Sequence, residues 1–456
     1  MSAQPGYLEL VAEPDGLRYV DHPGTVLPIR ERRATWRLRA ALERVAAVQG
    51  GRPAVLWVHE AAARAWRLPA DPAALARVLP AMPDDARSSD AWVRLSRDLH
   101  VAIPGYDGYF AGLPTPEDLG AALRTFRELT GTTFLYSAPA TVLHLIGERF
   151  TGRPPSSAPP DVAYAQAAYA VPAHAWARQE DAADLVAALP YVRLFDRRGS
   201  YLAAWRSVEL PDGEWRAGPI DLGYDDATAI ARVAPGYYLV DLRALRPYFA
   251  VNCLPDPFLR APRRTADGDH EASNDGPVWL TAPLAQLAAE LAQEIGDTLA
   301  VQRSVTGARA VRPLDRPAER LADAVRTLEE RTDPVSAAVL EAVKDGYKRA
   351  TAHLEYGRRP PHPLARPAWR HTIVDRHVAN TWRSIRKATR RPLAVGGVDS
   401  AVFPVSDEAD IPAGLRADGT LGSWRRRGRL MARAQADRIL RERGPFALIA
   451  ALTGED

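Results

Sequence analysis

The segment Thr151–Val162, TGRPPSSAPPDV, constrains this chain most. Its prolines lack a backbone donor and fix φ, so neither a helix nor a strand runs through it. The 456 residues therefore fold in at least two pieces, as a chain of this length normally does. Cys253 is the sole cysteine, which excludes an internal disulfide and a cysteine-built zinc site. No stretch approaches the roughly 20 apolar residues of a membrane span, and no signal-peptide pattern opens the chain. A cytoplasmic protein with no membrane partner is expected.

Net charge is only +3, but it is unevenly spread. Between Gly346 and Val395, twelve Lys or Arg residues face only Glu355 and Asp375. A second basic run lies between Trp424 and Arg443. Runs of this kind either form solvated arginine-rich surfaces or contact phosphate backbones with steep salt dependence. Of the 59 Lys and Arg residues only Lys344, Lys348 and Lys387 are lysines. That bias, with the abundant Ala and Pro, suits a high-GC genome.

The first 150 residues read as an α/β unit. Strand-like Ala54–Val58 and Thr132–Ser137 alternate with helical stretches such as Thr35–Val48. Pro262–Pro277 is polar, nearly free of large apolar residues, and reads as a mobile surface loop. The final fifty residues read as helical and basic.

Three places carry chemistry. In YVRLFDRRGSYLAAW, Val192, Leu194 and Phe195 suit a buried strand ending at Asp196, followed by a tight turn and a helix. A carboxylate at such a strand end either holds a hard cation, since Mg²⁺ needs only one or two when phosphates supply other ligands, or caps the helix. Thr332-Asp333-Pro334 reads as a helix start. Val335, Val339, Ala342, Gly346 and Ala350 then mark one apolar face, with Lys344, Lys348, Thr351 and Glu355 opposite. The two lysines, one turn apart, suit either a solvated face or a grip on phosphate oxygens. Leu393–Val405 reads as a hairpin turning near Gly396-Gly397, with Asp399 and Ser400 beyond the turn.

Taken in order, these residues resemble the polymerase motifs of family B DNA polymerases, over roughly Tyr191–Gly428. Asp196 and Tyr201 keep the family's Asp-to-Tyr spacing, and Asp399-Ser400 keep the last two positions of its Tyr-Gly-Asp-Thr-Asp-Ser motif. Gly397 stands where the first Asp of that motif should be, and Val395 replaces the Tyr. The family's Lys-x-x-x-Asn-Ser-x-Tyr-Gly motif is altered. Counted from Lys344, Lys348 falls at the Asn and Thr351 at the Tyr; counted from Lys348, Tyr356-Gly357 comes one residue late.

The resemblance is to compact, protein-primed, plasmid- or phage-type members, consistent with an actinobacterial mobile element. It implies an α/β (α+β) fold, with right-hand polymerase-like palm and fingers. Expected bounds are 1–150 for an inactive, degenerate exonuclease-like α/β domain, 151–190 for a Pro-rich linker, and 191–330 for the first part of the palm with a flexible loop at 262–277. Residues 331–386 should form the fingers helices, 387–405 the second palm hairpin, and 406–456 a short, basic, helical, thumb-like end. It further implies that Asp196 and Asp399 hold two Mg²⁺ (or Mn²⁺) ions, assisted by the Arg197 carbonyl. Tyr201 would pack under the sugar, and Lys344 and Lys348 would neutralise the triphosphate. Arg383, Arg386, Lys387, Arg425, Arg426 and Arg427 would contact nucleic acid. The implied partners are a DNA primer-template, dNTPs and a terminal or priming protein.

The exonuclease of the family opens with Asp-x-Glu on a strand. None occurs before Phe150, and Glu9, Glu13, Asp15 and Glu60 lack the spacing, so no proofreading is expected. The changed motifs leave a second reading open: a catalytically silent, polymerase-like DNA-binding accessory protein of replication or telomeres. No Walker A sequence, Gly-x-Gly-x-x-Gly fingerprint or His-Glu-x-x-His supports an ordinary metabolic enzyme. His362, His371 and His377, flanked by Arg, Pro and Trp, read as surface or nucleic-acid-contacting groups.

Overall fold

The computed structural model describes residues 7–69, 88–89, 92–96, 99–102, 109–135, 137–147, 160–169, 175–177, 188–218, 233–260, 263–265, 268–270, 276–355, 366–397 and 399–454. The chain divides into two units, one of Met1–Thr151 with Glu319–His353, the other of Gly152–Ala318 with Leu354–Asp456. Among the described residues, no helix is long and apolar enough to cross a membrane.

The first unit is built on a seven-stranded sheet. Its spatial order is Val26–Pro28, Gly16–Tyr19, Leu8–Glu13, Ala54–Val58, Leu99–Ala102, Trp92–Ser96, Ser88–Ser89. The first three strands form an antiparallel meander, and Ala54–Val58 lies parallel to both of its neighbours. Central parallel strands are covered on both faces, so they read as continuous apolar runs, and all five residues of Ala54–Val58 are buried. On one face Leu10, Leu56 and Val101 pack with Leu38, Ala41 and Val45 of the helix Arg37–Gln49. Trp57 instead meets Phe134, which also contacts Phe110 and Phe126.

That aromatic cluster explains one departure from expectation. Thr132–Leu135 is not a strand; it links the helices Pro116–Thr130 and Ala138–Gly147, with Phe134 fully buried. The apolar residues there serve packing between helices, and Tyr136 lies outside the described residues. Helix Pro334–His353 completes this unit. Asp333 caps it through Oδ1 on the Ser336 amide at 2.9 Å. Gly346 gives it close contact with helix Ala138–Gly147, since a Cβ there would lie 2.9 Å from Val142 Cγ2.

The second unit holds two larger sheets. One is four-stranded, in the order Leu210–Gly218, Ala300–Val311, Gly236–Asp241, Val278–Thr281. A bulge lies between Asp212 and Trp215, with Gly213 between them at φ +77. The other is five-stranded, in the order Trp424–Ala432, Tyr191–Arg197, Ser400–Val405, Ala394–Gly396, Ala175–Ala177. Side chains alternate across it. Phe195, Phe403 and Trp424 share one core with the helices Ala282–Glu294 and Pro367–Lys387. Val192, Leu194, Val402 and Met431 share another with helix Arg433–Thr453. Each large apolar side chain buried this way contributes about 1.5–3 kcal/mol before chain entropy is set against it.

Several expected bounds differ. The 151–190 stretch is more than a linker: it carries helix Pro160–Ala168 and the edge strand Ala175–Ala177. Val162, Ala165 and Tyr169 anchor it on Tyr237 and Trp279; residues 151–159 lie outside the described set. The 331–386 stretch is divided, because Pro334–His353 belongs to the first unit and Pro367–Lys387 to the second. Residues 319–330, expected with the palm, also belong to the first unit. Within 406–456 the basic run begins as a strand, Trp424–Ala432, which pairs with Tyr191–Arg197 before the terminal helix starts. In 262–277 the described pieces Arg263–Thr265 and Gly268–His270 pair as antiparallel strands; half of that loop lies outside the described residues.

Candidate active site

Strand Tyr191–Arg197 lies between Trp424–Ala432 and Ser400–Val405, which places Asp196 directly opposite both Arg425 and Ser400. The chain leaves this strand through Gly199 at φ +54, a left-handed turn that favours glycine, and enters helix Ser200–Ser207. Asp399 stands just before the adjacent strand, where its carbonyl accepts the Arg197 amide at 3.0 Å. Ser200 donates to Asp399 Oδ2 at 2.6 Å. The strand–turn–helix and the hairpin thus bring Asp196, Tyr201, Asp399 and Ser400 together at one end of the sheet.

Asp196 is 5% exposed. Burial raises its pKa, the charge of Asp399 adds to that, and Arg425 and Arg427 oppose it. Arg425 Nη2 lies 3.0 Å from Asp196 Oδ2, while the Ser400 hydroxyl reaches Oδ1 only at 3.5 Å. A carboxylate whose charge is disfavoured by a second one beside it gains from a cation placed between them. Asp196 Oδ1 and Asp399 Oδ1 are the oxygens least engaged, and a pair of aspartates suits Mg²⁺ when phosphates complete its shell. The donor set is therefore of a kind that would suit the implied ions, while in this structure Arg425 pairs with Asp196. Among the described residues no group of three or more His, Cys, Asp or Glu could hold a metal.

The turn at Gly397 runs at φ +61. This left-handed conformation favours glycine at the turn. Val398 lies outside the described residues.

Arg197 turns the other way from Asp196. Its guanidinium donates to the Gly422 carbonyl at 3.0 Å and to the Thr381 hydroxyl at 2.9 Å, and burial lowers its pKa to about 10. Its side chain is a strut inside the fold. Tyr201 packs edge-on against His377, with ring centroids 4.5 Å apart. Burial, then Asp399, raises the Tyr201 pKa. His377 is fully buried, with Nε2 3.9 Å from Asp399 Oδ2. His371 is buried too, stacked on Tyr169 and bonded to the Tyr237 hydroxyl at 2.9 Å. Neither is the surface group its sequence neighbours suggested, because helix Pro367–Lys387 is enclosed on most sides. His362 lies outside the described residues. The place of His377 beside Asp399 had no sequence signal.

Lys344 and Lys348 stand on helix Pro334–His353 of the first unit. Lys344 is half-buried and paired with Glu329 at 2.9 Å; Lys348 is exposed. Thr351, expected on their polar face, is buried instead, its hydroxyl closed on the Tyr347 carbonyl at 2.9 Å. Tyr356-Gly357 lie outside the described residues. Among the basic residues, Arg383 holds Glu290 through two bonds, Arg386 pairs with Glu294, and Lys387 is exposed. Arg426 donates to the Glu408 carbonyl at 2.8 Å, and Arg427 lies 3.9 Å from Asp196.

Four acidic residues of the first unit, the ones singled out in the sequence, each pair with an arginine. Glu9 meets Arg127 at 3.0 Å, Asp15 meets Arg37 at 3.0 Å, Glu60 meets Arg64 at 3.3 Å, and Glu13 pairs with Arg18.

No protein-family model and no curated protein matches this sequence. Among solved structures, phi29 DNA polymerase complexed with primer-template DNA and incoming nucleotide substrates aligns with a TM-score of 0.51 at 10% identity. The match covers 93% of this chain and 85% of that one. The same polymerase in an orthorhombic crystal form aligns at 10% identity over 92% and 83%, with a TM-score of 0.46. The first of these defines the class: a mixed α/β fold similar to that of a DNA polymerase of family B.

Proposed function

We propose that this protein is a DNA-directed nucleotidyltransferase of family B polymerase type, with the Asp196–Asp399 pair as its catalytic centre. The pairing of those two carboxylates at one end of the five-stranded sheet, in a polymerase-like fold, carries the reading. Two Mg²⁺ or Mn²⁺ ions held there would supply activation of a primer 3′-hydroxyl and charge stabilisation for the leaving pyrophosphate. Asp196 and Asp399 supply the carboxylate oxygens that hold them. Ser200 fixes the Asp399 carboxylate through Oδ2. Arg425, now paired with Asp196, would with Arg426 and Arg427 contact phosphates of the primer-template backbone. Tyr201, held against His377, packs under the sugar of the incoming dNTP. The triphosphate role of Lys344 and Lys348, and the use of a terminal or priming protein, rest on the family resemblance. The absence of proofreading is part of the same reading: no Asp-x-Glu opens the first unit, and Glu9, Glu13, Asp15 and Glu60 are each paired with an arginine.

Primer extension with Mg²⁺ or Mn²⁺ and dNTPs, run beside an Asp196→Ala/Asp399→Ala double variant, tests this. Extension by the wild type that the variant lacks supports it. A specific observation favours a second reading, a silent DNA-binding accessory protein: Arg425 already neutralises Asp196, and Gly397 removes one motif carboxylate. DNA binding without extension in either metal would select that reading.

A further inference from the structure

Helix Pro367–Lys387 presents two polar stripes to different places. His377, Thr381 and Ser384 serve Tyr201, Arg197 and Trp424. Arg376, Asn380 and Arg383, at i, i+4 and i+7, lie about 100° round the helix from them. With helices Ser200–Ser207 and Ala282–Glu294 they line a cavity of about 880 Å³. Asp196 does not face it. Arg197, the next residue on the strand and on its opposite face, does.

Six arginines line this cavity, against Glu209 and Glu290. Most are engaged: Arg383 holds Glu290, Arg312 donates to the Arg206 carbonyl at 2.8 Å, and Arg416 donates to the Leu421 carbonyl at 2.9 Å. Arg376 differs. It makes no hydrogen bond or ion pair among the described residues, and its buried Nε has no acceptor. Burial lowers its pKa, and the like charges of Arg383 and Arg312 add to that. A buried charged donor without an acceptor is costly. An arriving anion would relieve it. Planar guanidinium groups suit phosphate oxygens. The remaining lining includes the amides of Gln286, Gln293 and Asn380 and no aromatic ring, so it offers no platform for stacking bases.

We infer that this arginine-lined cavity is a second ligand site, separate from the Asp196–Asp399 pair, which binds successive phosphoryl groups. Those groups belong either to a nucleic-acid strand or to a free polyphosphate. The cavity needs no metal, so its test is independent of polymerase activity. The full-length protein in EDTA is titrated with inorganic tripolyphosphate by calorimetry and with fluorescein-labelled oligo-dT by anisotropy. Two variants are compared, Arg376→Gln and the more exposed Arg206→Ala/Arg312→Ala pair, each checked for a cooperative melt. Tripolyphosphate affinity falls at least about tenfold in both, while Asp196→Ala/Asp399→Ala binds as wild type. If a strand is the ligand, oligo-dT affinity falls as well, and its log–log salt slope drops by about 0.7 for each arginine removed. Unchanged oligo-dT binding with lost tripolyphosphate binding identifies a free polyphosphate. Folded variants that bind both probes like wild type overturn the site, as does a wild type that binds neither.

Discussion

Asp375 and Asp196 are buried in the same unit, yet the protein surrounds their charges in opposite ways. Asp375 is fully buried and accepts the Thr281 amide at 2.9 Å, the Thr281 hydroxyl at 2.8 Å and the Tyr169 hydroxyl at 2.7 Å, with Arg260 at 3.4 Å. These partners come from a strand end, a helix end and a loop, all fixed by packing. Asp196 has one close partner, Arg425, whose side chain is 47% exposed, and a second carboxylate beside it. The first arrangement is complete and holds elements together. The second leaves two neighbouring carboxylates with a half-exposed arginine as close partner.

The largest effect expected from that contrast is on activity. Replacing Asp196 and Asp399 by Ala should reduce primer extension at least about a thousandfold, on the order of 4 kcal/mol of transition-state stabilisation. Residual extension near the wild-type rate would end the catalytic reading.

Stability should respond in the reverse sense. Asp375→Ala leaves Arg260 and Thr281 without their acceptor and should cost about 3–5 kcal/mol, read from the urea midpoint. Asp196→Asn should change stability by less than about 1 kcal/mol, because it also removes a desolvated charge beside Asp399. If the two substitutions cost the same, the comparison breaks.

Glu9 sharpens it from the first unit. It is 3% exposed and has Arg127 as its close partner. Burial, despite Arg127, raises its pKa from 4.5 to about 8. The fold therefore favours the protonated acid. Its contribution to stability is whole below about pH 4.5, where both states are protonated, and is lost as the pH rises through 8. The stability of Glu9→Gln relative to wild type should thus increase between pH 5 and pH 9, by on the order of 3 kcal/mol. Urea melts at three pH values would reveal it, and a flat difference would contradict the raised pKa.

The smallest effect is at the hairpin turn. Gly397→Ala should cost about 1 kcal/mol because the backbone there is left-handed. A neutral substitution would mean that the turn tolerates a side chain.

Local patterns carried much of this molecule. The apolar run of Tyr191–Phe195 with the glycine turn behind it, the Asp333-Pro334 helix start, and the hairpin around Gly396-Gly397 each depend on contacts within a few residues, so their residue types sufficed to read them. Their order along the chain was enough to suggest a polymerase-like fold, which the structural likeness matches. Other features depend on partners far away in the sequence. Trp424–Ala432 looked helical because its arginines follow no strand alternation; pairing with Tyr191–Arg197 makes it a strand and sets Arg425 on Asp196, 229 residues away. The Asp375 knot, the burial of His377 beside Asp399 and the stranded Arg376 arise in the same way, where packing of distant segments decides which polar groups find a partner. Sequence alone determined the local shapes, the strand before Asp196, the helix start at Asp333-Pro334 and the hairpin at Gly396-Gly397. Tertiary structure decided what each charge faces, because electrostatic environment is set by neighbours in space, and most of those neighbours lie many residues away.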